Sequence, residues 1–261
     1  MCTLILGLGI LGPGSLLVGA NRDESPERPS SEPEVLVDSP RVVGGRDLLS
    51  RGTWLAVREG RFVTALMNRR PAAGGGASGA AGGVANPTEF RSRGLLCLDV
   101  AADEGGHDSL LTAALARVER DPYAPCTLVG VGIDGEAWAL RAGVDAGTGE
   151  PDVRPIARGW HVITHRDLDD HGEPRTRHLL DALAREAPAG VDDAVELLAR
   201  LLRVHAAKDT PAVCIHRELF PTVSSSILAL GVPGGARYLH APGPPCVTEY
   251  RDYTAILPEP A

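Results

Sequence analysis

Aromatic side chains are scarce in this chain: 3 Phe, 4 Tyr and 3 Trp stand among 261 residues. Its core therefore has to be built from Val, Leu, Ile and Ala. Cysteine is as thinly spread. The five thiols, at Cys2, Cys97, Cys126, Cys214 and Cys246, are odd in number and far apart, with no CxxC pair and no Cys/His run of zinc spacing. That pattern supports neither a disulfide framework nor a structural metal, and the cysteines after Cys2 read as small interior residues. Positive charge is in deficit as well. A formal net charge of −8 argues against a nucleic-acid or anionic-membrane surface and leaves a small molecule as the expected partner. No apolar run reaches transmembrane length. The apolar N-terminal stretch has no basic region before it, is broken by Gly7, Gly9 and Gly12-Pro13-Gly14, and runs into "NRDE". It reads as strands rather than an export signal, so a cytoplasmic protein is expected.

Turn formers are abundant, with 31 Gly and 21 Pro. "TLILGLGIL" and "SLLVGA" form a hairpin around Gly12-Pro13-Gly14, and "GTWLAVRE" and "RFVTALMN" form a second around Glu59-Gly60. "CTLVGVGI" and "EAWALRAG" form a third around Asp134-Gly135. Helical periodicity marks "HDSLLTAALARVER", "PRTRHLLDALAREA" with Pro174 as its first residue, and "DDAVELLARLLRVHAA". "WHVIT", "AVCIH", "TVSSSILAL", "ARYLHA" and "CVTEYRDYTAI" read as further strands. The Gly-rich segment at about 71–87 has few side chains with which to pack and reads as a flexible loop. Strand runs interrupted by a helical block, without an internal repeat, predict one α+β layered domain over residues 1–261.

If the first hairpin turns about Pro13, paired residue numbers sum to about 25 or 26, which sets Cys2 opposite Asp23 or Glu24 with Arg22 one position away. Loss of Met1 would leave Cys2 with both a thiol and a free α-amine. One residue would then hold a nucleophile and its own general base. Arg22 would favour the thiolate and Asp23 would orient the ammonium. The alternative is that Cys2 is a buried small residue and Asn21-Arg22-Asp23-Glu24 a solvated strand end.

"MCTLILG", "ANRDESPERP", "GGRDLLSRGTWLAV", "GRFVTALMNRRP", "SRG" at 92–94, "ITHRDLDD" and "TVSSSI" occur in an order that resembles the NRDE family, also called Transport and Golgi organisation protein 2. That family resembles N-terminal nucleophile hydrolases of the choloylglycine hydrolase and penicillin V acylase kind. The resemblance implies a four-layer αββα sandwich of mainly antiparallel sheets, with Cys2 at the active-site mouth. It implies an N-terminal-cysteine amidohydrolase or acyl-transfer enzyme that acts on a small amide or acyl substrate after Met1 is removed and needs no cofactor. On this reading Arg22 and Asp23 match the Arg-Asn-x-Asp stretch of the acylases, and Asn68 matches their oxyanion asparagine. Thr164-His165 stands where relatives carry Ser-Asn or Thr-Asn, so an imidazole replaces an amide. Pro221 to Ser225 replaces a Gly-Thr-Arg-Ser-Ser pattern and lacks its arginine. Family members have also been connected with haem trafficking and with lipid or acyl-CoA handling, which implies a non-catalytic haem or acyl-ligand carrier as the alternative.

Asn21, Glu24, Arg46, Asp47, Trp54 and His165 are the candidate substrate contacts. For Arg46 and Asp47 a turn salt bridge is the competing account, and for Trp54 it is the core of the second hairpin. Asn68 reads as a strand-interior amide in need of partners. The Gly74–Gly83 stretch lacks the lysine and the strand–loop–helix setting of a phosphate-binding loop. Ser224, Ser225 and Ser226 form no GxSxG elbow. His216 in "CIHRE" reads as a strand-end histidine, with a ligand-pocket or axial haem contact as the alternative.

Overall fold

A computed structural model describes residues 2–69, 90–105, 109–143 and 151–258; the expected flexible segment at 71–87 lies outside them. Its strands are β1 (Thr3–Leu8), β2 (Leu16–Asp23), β3 (Glu34–Val37), β4 (Val42–Gly44), β5 (Leu55–Arg58), β6 (Phe62–Asn68), β7 (Cys126–Gly132), β8 (Ala137–Ala142), β9 (Asp152–Pro155), β10 (Gly159–Ile163), β11 (Thr222–Leu230), β12 (Arg237–Ala241) and β13 (Arg251–Asp252). Its helices are α1 (Arg93–Ala101), α2 (Leu110–Arg120), α3 (Pro174–Leu183) and α4 (Val191–Leu202). The strands form two antiparallel sheets, one ordered β10-β1-β2-β11-β12-β13 and the other β3-β4-β5-β6-β7-β8-β9.

Period-2 alternation decides the layers. Leu4, Leu6, Leu8, Leu16 and Val18 of one sheet meet Val57, Val63, Ala65, Met67 and Val129 of the other in a core between the sheets. The opposite faces carry Ile5, Leu17 and Ile227, which pack on α3 and α4, and Phe62, Leu128 and Leu140, which pack on α1 and α2. The expected αββα sandwich is the observed one. Aliphatic residues fill these cores almost alone, as the shortage of aromatics demands, and Tyr238 and Phe62 are the largest fully buried side chains.

Local signals account for the elements. Pro174 opens α3 while the Glu173 carboxylate caps it, accepting from the Thr176 backbone N–H at 2.7 Å. Helix α4 turns Ala194, Leu197, Leu198, Leu201 and Leu202 inward and carries Asp192 and Asp193 at its positive end. It lies so close to β2 that a Cβ on Gly19 would stand 3.1 Å from Leu198 Cδ2. Among the described residues, no helix is long and apolar enough to cross a membrane.

Three expectations change. "AVCIH" is not a strand: the Val213 and Cys214 amides both bond the Val204 carbonyl at 2.9 Å, and the Ile215 amide bonds Thr222 Oγ1 at 2.8 Å, so the segment's donors are used within a loop. Of "CVTEYRDYTAI", only Arg251–Asp252 pairs, against His240 and Leu239. Helix α1 was not foreseen. Its start presses against the second hairpin, where a Cβ on Gly52 would meet the Gly94 carbonyl carbon at 2.2 Å and the Thr53 amide bonds the Gly94 carbonyl at 2.9 Å. This contact gives the "SRG" and "GTWL" stretches one structural purpose.

Candidate active site

The first hairpin pairs in a register one to two residues shorter than expected. Thr3 lies opposite Asn21 and Leu8 opposite Leu16, so paired numbers sum to 24 and the turn centres on Gly12 rather than Pro13. The seven-residue loop 9–15 is drawn together by Ser15, whose Oγ donates to the Gly12 carbonyl at 2.8 Å and accepts from the Leu11 amide at 3.0 Å. Gly9, Gly12 and Gly14 supply the positive φ angles this path needs.

Continuing the pairing by one residue puts Cys2 opposite Arg22 on one side. On the other side, Leu4 pairs with Ile163, the last residue of β10, and His165 follows two residues past that strand's end. Across β2, Ser224 pairs with Arg22. Cys2, Arg22 and Ser224 thus form one cross-strand row at the end of the six-stranded sheet, with His165 just past the end of the neighbouring β10. Alternation turns this row toward the inter-sheet core, against which the half-buried Cys2 packs.

Arg22 is buried and held from three directions. Its guanidinium lies 4.4 Å over the Trp54 ring, Nη1 donates to Ser30 Oγ at 3.1 Å, and Nη2 stands 3.5 Å from Asp47 Oδ2. Asp47 also receives Arg28 Nε at 2.6 Å and, through Oδ1, the Leu49 and Ser50 amides at 3.0 and 2.8 Å. It therefore builds its own turn and neutralises two arginines. Trp54 packs against the inter-sheet core and provides the face on which Arg22 rests, so both accounts of it hold in part. Arg46 faces elsewhere: it bonds Glu34 Oε1 at 3.2 Å and the Leu36 carbonyl at 3.2 Å, in a surface turn.

Asp23 closes the other side. Its carboxylate accepts from Thr222 Oγ1 at 2.7 Å and lies 3.6 Å from Arg175 Nη1, which donates to Thr3 Oγ1 at 2.7 Å. Burial pushes the Asp23 carboxyl up to about 6, against the pull of neighbouring positive charge and of the Thr222 hydroxyl. Burial likewise raises the Cys2 thiol, and Asp23 adds to the rise, while Arg22 and the Asp23 backbone N–H pull it down. Arg22 favours the thiolate as expected, but desolvation outweighs the guanidinium and leaves the thiol raised. Arg22 itself is lowered by burial, partly restored by Glu24, Cys2 and Asp47.

The remaining candidates separate. Asn21 turns away from Cys2 onto the α4 side, where its Nδ2 donates to the Leu202 and Val213 carbonyls at 2.9 and 3.1 Å. Glu24 lies just past β2, bonding the Ser25 amide at 2.8 Å and drawing Arg22 by charge. Asn68 is not a strand-interior amide. It is the exposed last residue of β6, on the face that Thr64 and Leu66 turn toward α1. Sequence reasoning missed Arg28, Arg93, Arg175 and Thr222. Arg93, first in α1, is lowered by burial and feels the charges of Cys126, Arg28, Glu24 and Cys2, so the helix start brings a further guanidinium to this rim. The signal of Arg93, Arg175 and Thr222 was weak because each arrives from a distant stretch of chain, whereas Arg28 lies only six residues after Arg22.

Two antiparallel sheets packed between two helical layers make the αββα sandwich of the N-terminal nucleophile hydrolase fold, and solved structures share that fold. An N-acylethanolamine-hydrolyzing acid amidase ortholog from Caenorhabditis elegans superposes with a TM-score of 0.58 at 17% identity, covering 90% of this chain and 95% of its own. Penicillin V acylase from Agrobacterium tumefaciens does so with a TM-score of 0.54 at 12% identity, covering 100% of this chain and 89% of its own. By sequence, no curated protein matches. The family model of Transport and Golgi organisation 2 matches residues 1–230, and the chain belongs to that family.

Proposed function

We propose that this protein is an N-terminal-cysteine amidohydrolase or acyl-transfer enzyme that acts on a small amide or acyl substrate once Met1 is removed. The observation that carries this reading is the placement of Cys2 across the first hairpin from Arg22, with Asp23 buried at the end of the same strand. A thiol raised by burial is protonated at neutral pH and needs a base at hand. The freed α-amine of Cys2 is such a base, since an α-amine titrates near ~8. Sγ attacks the acyl carbon while the amine takes the thiol proton, and the amine then returns it to the departing nitrogen. Water, or an acceptor amine, resolves the thioester by the same relay. Asp23 orients the ammonium. Arg22, fixed by Trp54 and Asp47, holds positive charge at the row. His165, just past the end of β10, serves as the oxyanion donor.

The test is intact mass before and after brief alkylation at neutral pH, followed by a panel of amide substrates. Loss of Met1, labelling of Cys2 well ahead of the buried Cys97, and turnover abolished in Cys2→Ala are the expected results. Retained Met1, or a Cys2 no faster than Cys97, overturns the enzyme reading in favour of ligand carriage, which a Soret band on haem titration or saturable acyl-ligand binding would then identify.

A further inference from the structure

Away from the Cys2 row, four side chains converge that no local spacing connects. Cys214 and His216 lie in the loop between α4 and β11, His205 follows α4, and Cys246 lies between β12 and β13. One ligand atom from each falls within 4.8 Å of all the others. The Cys214 and Cys246 sulfurs are 3.6 Å apart, His216 Nε2 is 3.6 Å from Cys214 Sγ and 3.2 Å from Cys246 Sγ, and the two Nε2 atoms are 3.3 Å apart.

Four of the six separations match the edges of a tetrahedral site, and the two from His205 to the sulfurs lie within 4.8 Å. With Zn–S of about 2.3 Å and Zn–N of about 2.0 Å, tetrahedral geometry sets S···S near ~3.8 Å, S···N near ~3.5 Å and N···N near ~3.3 Å. Two thiolates and two imidazoles in that arrangement select zinc among the common divalent ions. A disulfide is the other chemistry open to the sulfur pair, but it needs the sulfurs at about 2.05 Å and gives the imidazoles no part. We propose that His205, Cys214, His216 and Cys246 form a closed structural zinc site.

The loops are built to hold it. The Val213 and Cys214 amides share the Val204 carbonyl, and Arg203 Nε donates to the Pro245 carbonyl at 2.9 Å, tying the helix exit to the stretch before Cys246. Zinc bridges these two loops by covalent-strength bonds. It also steadies Ile215, between two ligands, whose amide and carbonyl both bond Thr222, the residue that donates to Asp23. The metal thus fixes the far wall of the Cys2 row without touching the substrate.

The experiment measures zinc in the purified, dialysed full chain by mass spectrometry and records the spectrum after exchange with cobalt(II). About one zinc per chain, a sulfur-to-cobalt charge-transfer band with intense tetrahedral d–d bands, and loss of both in His205→Ala and Cys246→Ser are expected. Cys97→Ala keeps them. His205 is exposed, so its variant is not confounded by unfolding. A folded wild-type chain that takes up neither zinc nor cobalt, metal that survives both ligand variants, or a Cys214–Cys246 disulfide on peptide mapping overturns the site. Each readout is independent of catalysis, so failure here leaves the hydrolase reading standing, and the reverse also holds.

Discussion

Two places in this molecule gather sulfur beside nitrogen bases, and they are assembled by opposite routes. The Cys2 row is made chiefly by one hairpin: residue 2 meets residue 22 because seven loop residues join two neighbouring strands. The cluster of His205, Cys214, His216 and Cys246 is made by loops that meet only after α4, β11 and β12 have docked. The first places its thiol on an inward sheet face, where burial keeps it protonated and a proton acceptor is required. The second leaves His205 and His216 exposed, with two thiols between loops tied by the hydrogen bond from Arg203 Nε to the Pro245 carbonyl. The proposed nucleophile sits at the end of the rigid sheet, whereas the proposed cross-link lies among irregular segments that lack a ladder of their own.

Substitution at each place should separate the two. Cys2→Ala should lower amide turnover by on the order of 1,000-fold or more while leaving zinc content and melting temperature unchanged. Cys246→Ser should do the converse, lowering the melting temperature by about 10 °C, since each kcal/mol shifts a chain of this size by about 2–4 °C. Chelation of the wild type should add two alkylatable thiols, Cys214 and Cys246, to those counted before. Asp47→Ala should cost about 3 kcal/mol in denaturant unfolding, because it leaves the buried Arg22 and its neighbour Arg28 without their carboxylate.

Acid titration sharpens the comparison further. Asp23 titrates at about 6 in the folded chain against an ordinary 3.8, so the folded state holds a proton that the unfolded chain has lost. Stability from this group falls as pH rises between those values, by on the order of 3 kcal/mol. His240, bonded to Ser226 at 2.9 Å, has the opposite sign: burial, with Arg251 adding, lowers it from 6.5 to about 4, so its stabilisation is lost as pH falls through that range. The two largely offset each other. Asp23→Asn should therefore make acid destabilisation between pH 6 and pH 4 visibly steeper, as followed by denaturant midpoints at each pH. The smallest effect belongs to Trp54→Leu, which removes the ring under Arg22 and should cost ~1 kcal/mol.

Much of the fold was legible because its signals are local. Glu59-Gly60 and Asp134-Gly135 connect β5 to β6 and β7 to β8 as their turn chemistry indicates, and Pro174 starts α3. The nearness of Cys2 to Arg22 and Asp23 was legible for the same reason. The register was not, because Ser15 folds back on Gly12 and shortens the count, which residue types alone do not reveal. Asn68 was misread because its polarity suggested a buried amide, whereas its place as the last residue of β6 leaves it exposed. Asn21, next to Arg22 in sequence, serves the α4 side because successive strand residues face opposite ways. "AVCIH" has the β-branched content of a strand, yet Val204 and Thr222 take its backbone donors first.

The sequence by itself determined an α+β layered domain, the hairpins and the presence of a thiol beside a charged strand, since strand alternation and turn residues act over a few positions; the αββα order was implied by the family resemblance. Only the tertiary structure decided that burial outweighs Arg22 at the Cys2 thiol, that Trp54 lies under Arg22, and that two histidines and two cysteines converge within 4.8 Å of one another. Those outcomes depend on desolvation and on distances between segments far apart in the chain, and neither exists until the two sheets have closed on each other.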